Sequence, residues 1–340
     1  MTTLAPDSTR VPTRTASDFA PLVARVKAAG LLDRRRGRYA VSITINLLAG
    51  AAIVTGVVLL GDSWWQLALA ALAAVFSAQS GFVGHDAGHQ QIARTHRANR
   101  VLGFLHGDLL LGMSYGWWTH KHNRHHANPN HEDKDPDVAG GALVWSSQQA
   151  AARSSRVAHW FTRNQHIMFF PMLLLEGLHL KVASWRTLPQ RPPKDRWIEA
   201  TLLSAHLVGY LALVFLSMPF LTGLAFVVVH QTLFGLYLGS AFAPNHKGMP
   251  MPGPNDRWDF LRKQVLTSRN VRGGPVTDWA LGALNYQVEH HLFPSMPRPN
   301  LRTAQPIVRD YCAEIGIPYT ETGLVESYAI GLRHLRGVGD

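Results

Sequence analysis

Three short strings in this chain concentrate groups that bind metal ions: His85-Asp86-Ala87-Gly88-His89, His122-Asn123-Arg124-His125-His126 and Gln287-Val288-Glu289-His290-His291. His246 stands apart from them. The spacings H-x3-H, H-x2-H-H and Q-x2-H-H put side chains three or four residues apart, on one face of a helix. Imidazole is the commonest protein ligand for first-row metals, and all-histidine ligation suits iron, copper, zinc or nickel rather than magnesium or calcium. Structural zinc closes with four ligands. Eight histidines (His85, His89, His122, His125, His126, His246, His290 and His291) and the Gln287 amide therefore make up about two metals with open positions. The ligands must be neutral imidazoles, and carboxylates beside them are expected to orient them. Asp86 and Glu289 lie inside the strings, Asp135 and Asp137 follow the second, and Asn123 and Asn128 are placed to donate hydrogen bonds.

These groups need elements to hold them, and the composition says what kind. Hydrophobic residues make up 46% of the 340 and charged residues 16%, against about 25% charged in soluble domains. Four segments, Val41–Leu60, Trp64–Gly84, Ala200–Met218 and Phe220–Ala243, are long and apolar enough to cross a bilayer. They pair into two hairpins with tight turns at Gly61-Asp62-Ser63 and Ser217-Met218-Pro219. Arg34, Arg35, Arg36 and Arg38 precede the first, and Arg191, Lys194 and Arg196 the third, which makes both entrances cytoplasmic. Each hairpin returns the chain to the cytoplasm, so all four histidine groups fall on one face. The fold predicted is an all-α integral membrane protein: four transmembrane helices in two hairpins under a cytoplasmic helical cap, which carries a histidine-rich two-iron site.

Two further apolar stretches, Val101–Trp118 and His166–Leu180, contain Asp108 and Glu176. A carboxylate at mid-bilayer is costly, so both are read as lying in or re-entering the interface. Residues 1–16 read as disordered, with an amphipathic helix after Ser17 or Asp18 (Leu22, Val23, Val26, Leu31) lying on the membrane surface. The expected division is 1–38 for the tail and interfacial helix, 39–305 for the membrane domain and 306–340 for a cytoplasmic C-terminal tail. No secretory signal is expected at the start. Cys312, the single cysteine, leaves no intrachain disulfide and no cysteine-based zinc or iron–sulfur site. The formal charge of +11 has no basic stripe with interleaved aromatics, so nucleic acid is set aside in favour of lipid headgroups or an acidic protein partner.

The strings also resemble the three histidine boxes of the membrane fatty acid desaturases. The resemblance extends to Trp117-Trp118 before the second box, Asp135-Pro136-Asp137 after it, Asn285-Tyr286 before the third, and Leu292-Phe293-Pro294 and Pro297-Arg298-Pro299-Asn300-Leu301 after it. It covers about residues 40–305. Gln287 in place of a first histidine looks like the front-end branch. His246, in Pro244-Asn245-His246-Lys247-Gly248, sits where the family supplies a further ligand. The resemblance implies a non-haem centre of two irons that uses O2 and two electrons to remove hydrogen from adjacent methylenes of a fatty acyl chain. Many eukaryotic front-end enzymes carry a fused cytochrome b5 with an H-P-G-G motif, which is not found here. Electrons are therefore expected from a separate ferredoxin or flavin/iron–sulfur reductase. An acyl chain needs a narrow apolar tunnel, for which Gln231, Thr232 and Tyr237 in the fourth span are candidates. Trp64, Trp65, Trp117 and Trp118 read as interface anchors. The same centre could serve a fatty acyl hydroxylase. A histidine-lined metal transporter is the alternative of a different class, and it would want the histidines within the spans.

Overall fold

The computed structural model describes residues 17–253 and 255–340; the N-terminal stretch read as disordered lies outside the described residues. The helices in chain order are α1 (Phe19–Ala28), α2 (Arg36–Leu60), α3 (Gln66–Gly88), α4 (His96–Gly103), α5 (Tyr115–Ala127), α6 (Ser147–Ala151), α7 (Arg156–Thr187), α8 (Pro193–Ser217), α9 (Phe220–Phe242), α10 (Phe260–Leu266), α11 (Pro275–Ala280), α12 (Gln287–Leu292), α13 (Leu301–Glu314) and α14 (Leu324–Gly339). A two-residue parallel pair joins β1 (Asn270–Val271) to β2 (Glu321–Thr322).

The two expected hairpins are present. In the first, Gln66 Nε2 donates to Val57 O and Gly61 O at 2.8 and 2.9 Å, and Gly61 turns the chain at φ +55°. Small residues then let α2 and α3 close: the Phe76 ring lies where a side chain on Gly50 would stand, and Leu69 crowds Gly56. In the second hairpin, Met218 and Pro219 separate α8 from α9. The hairpins are joined within the apolar layer by side-chain hydrogen bonds. Ser77 on α3 meets His230 Nε2 on α9 at 3.0 Å, and His230 Nδ1 meets the Tyr210 hydroxyl on α8 at 2.9 Å. Such bonds satisfy polar groups that lipid cannot.

Among the described residues five helices, not four, have the length and composition to cross a membrane, the additional one being α7 with its extension to Gln190. α7 packs tightly on α9: a Cβ on Gly235 would stand 2.5 Å from Gly177 N and from Leu173 O. Its contacts run from α14, where Phe170 stacks edge-on to Tyr328, along α9 from Gly239 to Gln231, to the Leu111–Ser114 segment, where Lys181 donates to Leu111 O at 2.6 Å and Ser184 Oγ accepts from Ser114 N–H at 2.9 Å. The Val101–Trp118 stretch is no span. It divides into α4, a π-helical run (Phe104–Leu111) and the start of α5, broken at Gly112 (φ +73°). Asp108 turns inward there and accepts from Tyr115 N–H at 3.2 Å.

Two expectations at the termini need correction. α1 does not lie on a lipid surface: Leu22 and Val26 are wholly buried against Val288, Leu292, Val308 and Cys312, so protein already covers its apolar face. Asp18 caps nothing with its side chain and pairs with Arg262 at 2.9 Å instead. The expected boundary at 305 falls inside α13, and the residues beyond it pack against the rest of the chain rather than trailing from it. Arg269, fully buried, donates to Ser327 Oγ and O (2.6 and 2.9 Å) and to Lys247 O (2.6 Å). That clamp fixes α14 beside His246, because Arg269 N–H also donates to Asn245 O at 2.9 Å.

Candidate metal centre

The first histidine string closes the last turn of α3. The second lies along α5, whose N-terminus is capped by Ser114 Oγ accepting from Trp117 N–H at 3.0 Å. The third forms α12, and His246 follows the short 3-10 turn Ala243–Asn245 at the end of α9. These elements bring all eight histidines and Gln287 together. Ring nitrogens of His85, His89, His122 and His290 lie within 4.8 Å of one another, as do those of His125, His246 and His291. His126 sits between the groups, its Nε2 3.0 Å from His122 Nε2 and its ring stacked on His291 at 4.1 Å.

The outward nitrogens are fixed by oxygens. His125 Nδ1 donates to Asp135 Oδ2 at 2.9 Å, His246 Nδ1 to Thr267 O at 2.9 Å, and His291 Nδ1 to Gln264 Oε1 at 2.9 Å. The Gln264 amide cannot be turned over, because its Nε2 donates to His126 O at 2.9 Å. An oxygen here can only accept, so Nδ1 carries the proton and Nε2 presents a lone pair. His85 Nδ1 pairs likewise with Asp86 Oδ1 at 3.0 Å, and Asp86 is held from behind by Arg298 at 3.0 Å.

Nε2 of His246 then faces Nε2 of His125 at 3.3 Å and of His291 at 3.1 Å, lone pair against lone pair. Protonation does not relieve this. Burial first, and then the neighbouring imidazoles, push His89, His122, His126, His290 and His291 well below the ordinary histidine value, and His246 down to about 3. A cation does relieve it. Nitrogens at about 2.1 Å from one ion and roughly 90–105° apart are themselves about 3.0–3.3 Å apart, the separations found here. Nε2 of His89 is buried with no hydrogen-bond partner. The donor set thus fits metal ions in two adjoining groups.

Gln287 places its amide nitrogen 2.9 Å from His246 Nε2, at the edge of the second group. Asp137 approaches His125 Nδ1 at 3.5 Å and pairs with Lys121 at 2.6 Å. Burial alone would raise the Asp137 carboxyl, but Lys121, His125 and Lys247 together outweigh it and hold the group well below the usual range.

Three expected supporting residues lie elsewhere. Glu289 points away from the histidines and accepts from Asn270 Nδ2 (2.7 Å) and the Tyr319 hydroxyl (2.8 Å), because neighbouring positions on α12 project about 100° apart. Asn123 is on the exposed side of α5, and Asn128 ends that helix through its backbone N–H. Their place is taken by Gln264, Thr267 and Asn130, the last donating to Asp135 Oδ2 (2.7 Å) and His246 O (3.0 Å). Only Asn130, close behind the second string, carried a signal in the sequence. Gln264 and Thr267 come from α10 and its C-cap, which no histidine spacing points to.

A cavity of about 300 Å3 reaches the centre, touching His122, His125, His246 and Gln287, with walls that include Trp117, Trp118, Phe169, Leu173, Leu238 and Phe242. The expected tunnel residues are not among its walls. Thr232 donates to Val228 O of its own helix, Gln231 lies against His230, and the Tyr237 hydroxyl accepts from Gln79 on α3. The expected anchors Trp117 and Trp118 line it instead, and Trp118 stacks on His122 at 4.5 Å.

Comparison with known proteins agrees with this arrangement. The profile of the fatty acid desaturase family matches residues 62–323. The acyl-lipid (9-3)-desaturase of Physcomitrium patens is 31% identical over 81% of this chain and 53% of its own length. A Delta(6)-fatty-acid desaturase of Caenorhabditis elegans is 30% identical, over 81% of this chain and 65% of its own length. Delta(8)-fatty-acid desaturase 2 of Arabidopsis thaliana is 27% identical over 94% and 74%. The chain spans about half the length of the moss relative.

Proposed function

The chain belongs to the fatty acid desaturase family, and we propose that it introduces a cis double bond into a fatty acyl chain in an O2-dependent reaction. The observation that carries this reading is the cavity that opens on the histidines, walled mainly by apolar and aromatic side chains with Lys121, Asp137, Glu176 and Lys247 among them. The overall balance is removal of two hydrogens from neighbouring methylenes while O2, two electrons and two protons become two waters. The eight histidines would hold two irons, one near His85, His89, His122 and His290 and the other near His125, His246 and His291, with His126 between and Gln287 beside the second. Bound there, the irons supply an O2-derived oxidant strong enough for an unactivated C–H bond, which no side chain provides.

The chain's own residues do the rest. Asp86, Asp135, Thr267 O and Gln264 keep the imidazoles in one tautomer and one orientation. Trp117, Trp118, Leu238 and Phe242 exclude water and fix which methylenes lie beside the centre, and that placement sets the position of the double bond. We read α2, α3, α8 and α9 as the four spans. α7 lies in the interface, a reading supported by its contacts with the site end of α9 and with α14. Arg36, Arg38, Lys194 and Arg196 at the starts of α2 and α8 support a cytoplasmic site. The exposed Arg124 and Lys134 near the second string favour an acidic redox protein, a ferredoxin or flavin/iron–sulfur reductase, as electron donor.

The test is expression with a ferredoxin and its reductase, feeding of defined fatty acids, and lipid analysis by gas chromatography–mass spectrometry beside a His290→Ala control. A new olefin absent from the control is expected, and its position decides whether the bond falls on the carboxyl side of an existing one, as in front-end enzymes. A hydroxylated product would reassign the reaction while keeping the centre. Inserted protein that binds no iron would overturn the reading.

A further inference from the structure

On the outer flank of the α2–α3 hairpin lies a second recess, unrelated to the histidines. It is a groove of about 830 Å3 between a stripe of α2 that includes Val41, Ile45 and Ala49 and a stripe of α3 that includes Leu72, Phe76 and Gln79. Spacings of three, four and seven residues keep each stripe on one helix face. From Arg38 to Ile53 the groove runs about 22 Å at 1.5 Å per residue. That exceeds the roughly 15 Å of hydrocarbon in one leaflet. At its site end it opens into a recess of about 430 Å3, since Arg38, Ser42, Gln79 and Trp279 line both.

The charges change along this path. The groove is walled mainly by apolar side chains, with Arg38, Ser42, Asn46 and Gln79 the polar ones among them. The recess carries Arg38, Arg298 and Arg302 against one carboxylate, Asp278. Arg302 pairs with Asp278 at 2.7 Å and Arg298 with Asp86 at 3.0 Å. Arg38 is exposed in the first turn of α2 and makes no ion pair or hydrogen bond among the described residues. The groove and the histidine cavity share no lining residue, so this is not a branch of the route to the centre.

We propose that this paired recess binds one anionic phospholipid of the membrane, with an acyl chain along α2 and α3 and the phosphate against Arg38 and Arg302. An arginine can fork two N–H groups onto a phosphate, and a basic cluster at the membrane edge favours anionic over zwitterionic headgroups. The long apolar groove accounts for the chain, and the arginines at its mouth for the charge. The occupant is a resident lipid and not the acyl group being oxidised.

The full-length protein in neutral detergent would be titrated with phosphatidylglycerol and with phosphatidylcholine of the same acyl chains, and bound lipid counted by native mass spectrometry. One phosphatidylglycerol is expected to persist per chain at concentrations where phosphatidylcholine is lost. Arg38→Gln is expected to weaken that preference about fivefold, the contribution of one arginine at a lipid surface, while Arg38→Lys keeps most of it. Ala49→Trp, which fills the groove, is expected to lower retention of both lipids. Arg38 is exposed, so Arg38→Gln reads the site even if Ala49→Trp fails to fold. Equal retention of the two lipids by the unmodified protein would overturn the proposal, as would an unchanged preference in Arg38→Gln. Should the unmodified protein prove dimeric, Ala49→Trp protein that keeps its lipid but is monomeric would overturn the proposal and assign the groove to a second copy.

Discussion

At the scale of single residues, the centre depends as much on the oxygens behind the rings as on the rings. Asp135 fixes His125 through one oxygen and is itself fixed by the N–H groups of Asn130 and Asp137. Replacing Asp135 with Ala is expected to lower metal affinity by about 10- to 100-fold, the usual cost of losing such a partner. Gln264→Leu should act similarly through His291. Metal content after dialysis against a graded chelator series would measure both, and content equal to wild type would show that the rings hold themselves. The histidines also set a pH dependence. The folded-state values of His89, His122, His126, His246, His290 and His291 lie below the ordinary 6.5, so between 6.5 and the folded value the unfolded chain binds more protons. Stability of the metal-free protein is therefore full above about pH 6.5 and falls as pH drops toward the value of about 3 held by His246. Thermal unfolding in detergent from pH 8 to pH 4 should show the midpoint falling only in the acid half of that range.

Elements place these residues, and here reading from sequence succeeded unevenly. The histidine strings were legible because helical spacing and residue type speak together, and the hairpins because length and apolarity do. Gln264 and Thr267 were not, since a partner that meets a ring only through tertiary packing leaves no periodic mark. α1 was misplaced for a related reason: an amphipathic stripe says that a face must be covered but not whether lipid or protein covers it. The π-helical run at Phe104–Leu111 is likewise a product of packing, with Asp108 turned inward. The α7–α9 contact yields a prediction at this scale. A methyl group on Gly235 would meet the Gly177 backbone at 2.5 Å, so Gly235→Ala should cost about 1–3 kcal/mol through overpacking. Because Leu173 of α7 and Gly239 of α9 both wall the cavity, product yield should fall with stability, and Gly209→Ala on α8, with open space around it, should change neither. A melting point for Gly235→Ala within error of wild type would show that the helices can part freely.

For the whole molecule, the placement of α7 decides whether four or five helices cross. Cys312 is buried, and burial pushes its thiol up to about 12, so the natural chain offers a nearly silent background for labelling. Single cysteines at Val157 and Arg191, flanking α7, should label from the same side of a sealed vesicle if that helix lies in the interface, and from opposite sides if it crosses. In the interfacial case a cysteine at Ser63 should label from the side opposite both. The first and last turns of the two hairpins have one more consequence. With α7 in the interface and Gly61–Trp65 and Met218-Pro219 as the connections remote from the histidines, almost nothing among the described residues would protrude on that side. A protease or antibody arriving there would find little to grip, and an epitope tag meant to be seen from that compartment would have to be inserted into the Gly61–Ser63 turn.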